Sequence, residues 1–312
     1  MKNKMDYKEF LSEVKQQVQE NIEDKYEVEI YKVPKNNGIM LDVLSIRLKP
    51  DSCASMIYLN AYYEQLGSSM TLEEIVEDIV SVHNTHIGIS AHQAEALVCF
   101  DHIKDNMVFK LIRVETNLEL LANIPHVYFL DMAVVFYLLL AENETGQVTA
   151  LIDKNMLNDW NMTEEEVYRL AKINTPRLLP ARIQTLREVI CEIFAAQFGK
   201  EAEVEAMSDW LGDMANEPPL YVFTNQNGVN GAGCILYDGF LEEFAQEQNA
   251  DIIILPASLH EVLLTPDNGE LEYKVMEEMV KLINKTKVAE EDVLSDRIYR
   301  YSLNTKEITI VE

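Results

Sequence analysis

Residues 254–269 read ILPASLHEVLLTPDNG, which places a serine, a histidine and a glutamate in an otherwise apolar run. A hydrolase needs a nucleophile within hydrogen-bond reach of a base, and a third group must orient that base. Ser258 and His260 are two apart, so on a strand they would share a face with Cα atoms roughly 6–7 Å apart. Glu261 follows with a carboxylate. No G-x-S-x-G elbow is present to expose the serine. The same residues also fit a corner. Pro256 to Ser258 would turn between two paired strands, DIIIL and EVLLT, with the serine hydroxyl bonding a neighbouring backbone group. The corner is the preferred reading, and a hydrolase built on Ser258 and His260 is its alternative.

Three further groups of residues could carry chemistry. Four histidines fall in one stretch, His83, His86, His92 and His102. If the helix before them runs on to His86, then His83 and His86 lie one turn apart, and with His92 and a carboxylate they could hold a transition metal. The spacing matches no strict zinc signature, so helix-end or surface histidines are preferred and no metal is expected. Gly228, Gly231 and Gly233 lead into an expected strand at Gly233–Tyr237, not into a helix N-terminus. They therefore suit a hairpin turn better than a phosphate loop, and no cofactor is expected. Lys172, Arg177, Arg182 and Arg187 recur every five residues with no acid among them. Such a strip could bind a carboxylate or phosphate of a partner, though pairing with the chain's own acids is preferred.

The elements that must position these residues are legible from periodicity. Phe10, Leu11, Val14 and Val18 mark an amphipathic helix from Tyr7 to about Asp24. Strands follow at Tyr26–Val33, Ile39–Leu48 and Ala54–Asn60, the first two joined by the turn KNNG. Thr71 and Glu74 form a capping box ahead of the next helix. Helices are also expected at Ala91–Asp101, Leu186–Phe198 and Gly239–Gln248, and one carrying Leu271, Val275, Met276, Met279 and Ile283 on one side. The strands MAVVFYLLL and GQVTALID pair around AENET, and a hairpin closes the chain. NTPRLLPARIQ, with two prolines, breaks the helical pattern and reads as a link.

The expected class is α+β: two domains, 1–175 and 186–312, joined by a Pro-containing linker at 176–185, with mixed, mostly antiparallel sheets and packed helices. A shift of 84 residues lays Tyr137–Trp160 over Tyr221–Phe244 without a gap, which suggests an internal ββα repeat.

Bulk properties narrow the partners. The 312 residues carry 26 basic and 53 acidic side chains, a net charge of −27, which disfavours nucleic acid and anionic membrane. Four scattered cysteines suggest reduced thiols, and the N-terminal stretch has no apolar h-region. The longest apolar run, Met132–Ala141, is half of a spanning helix. A cytoplasmic setting is expected.

The segments IPH (124–126), DMAVVF (131–136), NMLNDWNMTEEEVYRLAKINTP (155–176), GAGCILYDGFLEEFA (231–245), ILPASLHEVLLTPDNG and RIYRYS resemble the bacterial domain of unknown function 5688 family of gut Clostridia and relatives. The resemblance covers most of the chain beyond residue 120 and implies a shared fold without a reaction. In that pattern the stretch matching His83–His102 is not histidine-rich, which counts against a metal. The functional expectation is a non-catalytic binding or regulatory module with a protein partner. A Ser258–His260 hydrolase and an acidic nucleic-acid mimic are the alternatives.

Overall fold

The computed structural model describes residues 5–48, 55–84, 100–143, 146–198, 219–269 and 271–311. It is an α+β structure whose named ladders are all antiparallel. The chain divides into two compact units, Met1–Lys104 and Asp105–Glu312.

In the first unit, helix α1 (Tyr7–Asn21) precedes a three-stranded sheet of β1 (Tyr26–Pro34), β2 (Met40–Leu48) and β3 (Ser55–Tyr58), in that order. The β1–β2 turn needs left-handed backbone, which Asn37 (φ 59°) and Gly38 (φ 71°) supply. Helices α2 (Leu59–Gln65), α3 (residues 72–84) and α4 (Phe100–Ile103) follow. α3 opens on the expected box: Thr71 N–H donates to Glu74 Oε2 at 2.8 Å, and Glu74 N–H to Thr71 Oγ1 at 3.3 Å. Phe10, Val14 and Val18 are spaced by four, so α1 turns one stripe inward. That stripe joins Val28, Leu44, Ile46, Leu59, Ile75 and Ile79 in a single core.

The second unit has two sheets. In one, β6 (Met132–Asn143) pairs along one edge with β4 (Met107–Arg113). Along its other edge lie β5 (His126–Phe129) and β7 (Gly146–Leu151), end to end. α5 (Leu118–Asn123) and α6 (Lys154–Trp160) flank these strands in the chain. α7 (Glu164–Leu178) starts on a Thr163–Glu166 capping box and packs on β4. β4 is an edge strand, so its outer N–H and C=O groups need partners. Asn174 Nδ2 donates to Met107 O at 3.1 Å, and Phe109 N–H donates to Thr175 Oγ1 at 3.0 Å. The Thr175 hydroxyl in turn donates to Ala171 O.

The other sheet has six strands in the order β13-β12-β10-β11-β9-β8. These are β8 (Ala181–Thr185), β9 (Tyr221–Asn225), β10 (Asp251–Pro256), β11 (Val262–Asp267), β12 (Tyr299–Tyr301) and β13 (Ile308–Ile310). α8 (Leu186–Phe198) contacts β8 and β9, and α9 (Phe240–Gln248) and α10 (Tyr273–Thr286) contact β10. A polar network joins the two sheets within this unit. Ser295 Oγ and Tyr299 OH each donate to Asp131, both at 2.7 Å, and Arg113 meets Asp296 at 2.9 Å.

Three expectations are corrected here. The segment 176–185 is regular structure inside the second unit: α7 runs through Pro176 to Leu178, and Ala181–Thr185 pairs with β9. Pro176 lies in the last turn of α7, which closes with Leu179 N–H donating to Thr175 O. The unit boundary lies at Lys104–Asp105 instead. The expected strand Gly233–Tyr237 is a 3-10 helix, Gly231–Leu236. That also removes the ββα repeat, because the stretch matched to β7 is not a strand and only a strand and a later helix coincide.

Candidate functional site

Pro256 ends β10 and Val262 opens β11, and the residues between them form the expected corner. Ala257 and Ser258 N–H groups both point to Glu261 O, at 3.2 and 3.1 Å. Ser258 Oγ accepts His260 N–H at 3.0 Å, so the hydroxyl closes the turn.

The His260 ring is held from both sides. Its Nδ1 accepts the Asn230 N–H at 3.2 Å, and its Nε2 lies 3.2 Å from Asp292 Oδ1. A neutral imidazole protonated on Nε2 satisfies both partners at once. Among the described residues the ring makes no hydrogen bond to Ser258. Ser258, His260 and Glu261 are therefore neighbours on one corner without the nucleophile–base contact a hydrolase uses. In this arrangement the Nδ1 lone pair is directed at the Asn230 N–H, not at the Ser258 hydroxyl.

Asn225, Asn230 and Gly231 build the other wall. Asn225 is buried, and its side chain organises the loop behind it: Nδ2 donates to Val229 O at 2.7 Å, while Oδ1 accepts from the Asn227 and Val229 N–H groups. Asn230 then takes a left-handed φ of 56°, which aims its N–H at the imidazole. At Gly231 the chain passes so close to β9 that an added Cβ would lie 2.1 Å from Thr224 Oγ1 and 2.5 Å from His260 O. The Thr224 hydroxyl occupies that space, donating to His260 O at 2.6 Å. Asp292 adds its backbone carbonyl, which accepts Leu259 N–H at 2.8 Å.

Sequence reasoning found Ser258 and His260 but missed Thr224, Asn225, Asn230 and Asp292. The density of Asn and Gly in NQNGVNGAG signals positive-φ loop backbone and could have pointed to two of these, Asn225 and Asn230. Asp292 lies 32 residues beyond His260 in an acidic run with no local mark of its role.

The remaining candidates are placed as follows. His83 is buried in the first unit, edge-on to Tyr26 with ring centroids 4.8 Å apart. His86 and His92 lie outside the described residues. Among the described residues no group of three or more His, Cys, Asp or Glu is arranged to hold a metal. In the basic strip, Lys172 pairs with Asp238 at 2.7 Å and Arg182 with Glu192 at 2.6 Å. Arg177 bonds Asp105 O at 2.7 Å and Asn174 Oδ1 at 3.3 Å. Arg187 is exposed on α8.

A second feature lies on α10. Its inner side buries Val280 and Asn284, the latter bonded to Ser295 O and Asp296. The apolar arc is wider than the part that is covered. Val275, Met279, Leu282 and Ile283 remain 51, 56, 61 and 42% exposed. The helix side expected from sequence to be apolar therefore faces outward in large part.

The family of unknown function (DUF5688) matches residues 7–303, so the chain belongs to it. No curated protein and no solved structure matches the chain. No helix among the described residues is long and apolar enough to cross a membrane.

Proposed function

Because membership of DUF5688 brings no reaction with it, we propose from the geometry that the chain is a non-catalytic binding or regulatory module whose partner is a protein. The observation that carries this reading is the α10 ridge of Val275, Met279, Leu282 and Ile283. Four large apolar side chains at helical spacing, left in water together, fit a helix-docking interface. The Ser258–His260 corner adds no competing claim, since its hydroxyl and both ring nitrogens already have partners in their own framework. The net charge of −27 makes nucleic acid and anionic lipid poor partners. Free thiols at Cys191 and Cys234 accord with a cytoplasmic setting.

The test is a photo-crosslinking amino acid at position 279, used in the native cells. A discrete protein adduct that the Leu282→Glu change abolishes is expected. Absence of any adduct, or turnover of ester or amide substrates that His260→Ala removes, overturns the reading.

A further inference from the structure

We infer that the partner of the α10 ridge is a second copy of this chain, docked as an antiparallel helix pair about a two-fold axis. The inference rests on reading the ridge as an interface. Its own argument is the sequence of the helix.

Val275, Met279, Leu282 and Thr286 are spaced 4, 3 and 4, the spacing of a coiled-coil seam. At about 100° per residue this seam points on the order of 150° away from the buried Val280 and Asn284. It therefore projects off the unit and leaves room for a second helix. Glu278 and Lys285 border the seam on one side, and Met276 and Ile283 on the other.

Pairing direction then decides the charges. In an antiparallel two-fold pair Met279 faces Leu282 of the second copy, and Val275 faces Thr286. Glu278 then falls opposite Lys285 of the second copy, and the symmetry makes this contact twice. On the other side Met276 meets Ile283, also twice, which extends the apolar surface. A parallel pair would set Glu278 against Ile283 and leave Lys285 unanswered. Lys285 makes no ion pair among the described residues, whereas Glu278 already touches Lys281 at 2.9 Å and keeps its other oxygen for a partner. One helix per copy falls below the roughly 800 Å² per partner of a standard interface, so a dissociation constant on the order of 10–100 µM is expected.

Sedimentation velocity of the full chain across that concentration range tests the pairing. The wild type should show a reversible monomer–dimer equilibrium. Leu282→Glu should be monomeric with an unchanged far-ultraviolet spectrum, because the residue is exposed. Glu278→Lys and Lys285→Glu should each weaken association about tenfold by setting like charges opposite one another. The double change should restore it, which a loss of folding could not do. A wild type that stays monomeric, or a dimer indifferent to the charge changes, overturns the inference. If the wild type is monomeric while position 279 crosslinks to a different protein, self-pairing fails and the binding reading stands. If neither occurs, both fail.

Discussion

Gly231→Ala is the most informative single change, because the corner around His260 depends on an approach that only glycine permits. An added methyl carbon would meet Thr224 Oγ1 at 2.1 Å, His260 O at 2.5 Å and Asn225 N at 2.7 Å. Two of the three are backbone atoms, so no rotamer change relieves them. Overpacking of this kind costs about 1–3 kcal/mol, and displacing the Thr224–His260 hydrogen bond adds about 1 kcal/mol. The expected loss is about 2–4 kcal/mol. Gly228→Ala is the control. It has φ +65° but nothing within 4 Å of an added Cβ, so only the left-handed backbone is strained, at about 1 kcal/mol. Thr224→Ala in the Gly231→Ala background removes the 2.1 Å contact and leaves the two backbone ones, so rescue should be partial. A chain of two units need not unfold in one step, which favours a local readout. Native-state hydrogen exchange of peptides covering Tyr221–Asn225 and Val262–Asp267 supplies it. Gly231→Ala amides as slow as those of the wild type, or a Gly228→Ala effect equal to it, would refute the reasoning.

Asp131→Ala strands the Ser295 and Tyr299 hydroxyls, and should cost about 2–4 kcal/mol in urea unfolding of the second unit. Leu130 turns between β5 and β6 at φ 56° while 40% exposed, so Leu130→Gly should stabilise by about 0.5–1 kcal/mol, read as a raised thermal midpoint. Burial opposes the Asp296 charge, but the Asn284 and Arg113 hydrogen bonds outweigh it and hold its pKa below the usual carboxylate value. Its stabilisation is therefore present above the unfolded-state value of about 3.9 and lost as pH falls through the folded one. Asp296→Asn should flatten the fall in thermal midpoint between neutral and acid pH. Burial pushes the Cys234 thiol up to about 12, so peptide mapping after alkylation at pH 8 should find Cys191 labelled and Cys234 protected.

What was legible in the sequence is what local physics determines. Phe10, Val14 and Val18 announce α1 because a 3.6-residue period leaves few alternatives, and Thr71 with Glu74 fixes the start of α3 by satisfying N–H groups inside one turn. The misread stretches are those where distant groups outweigh local pattern. The short apolar run Gly233–Tyr237 reads as a strand, yet the approach of Gly231 to Thr224 and of Ala232 N–H to Leu259 O accompanies a 3-10 helix over Gly231–Leu236. Pro176 reads as a break, yet Asn174 and Thr175 beside it are held to the edge of β4 and keep the segment helical. In the candidate site the local half, Ser258 closing its own turn, was legible. The imidazole's partners were not, because Asn230 and Asp292 reach it only through the fold.

The residues that carry the family resemblance meet one another. Asp131 of DMAVVF receives the hydroxyl of Tyr299 from RIYRYS. Ala232 of GAGCIL donates its N–H to Leu259 of LPASLHEVLL. Tyr237, its ionisation suppressed by burial, donates to Leu179 O just past the end of α7. Each polar group in this set already has a partner inside the second unit, and none of these hydrogen bonds involves a group left open to a ligand. Such a pattern can identify the architecture and remain silent about chemistry, because its hydrogen-bonding capacity is already used within the fold. Interaction with anything else must come from groups the framework leaves unused. Among the described residues, α10 combines an apolar seam with complementary charges along its border, a combination that folding of the unit alone does not require.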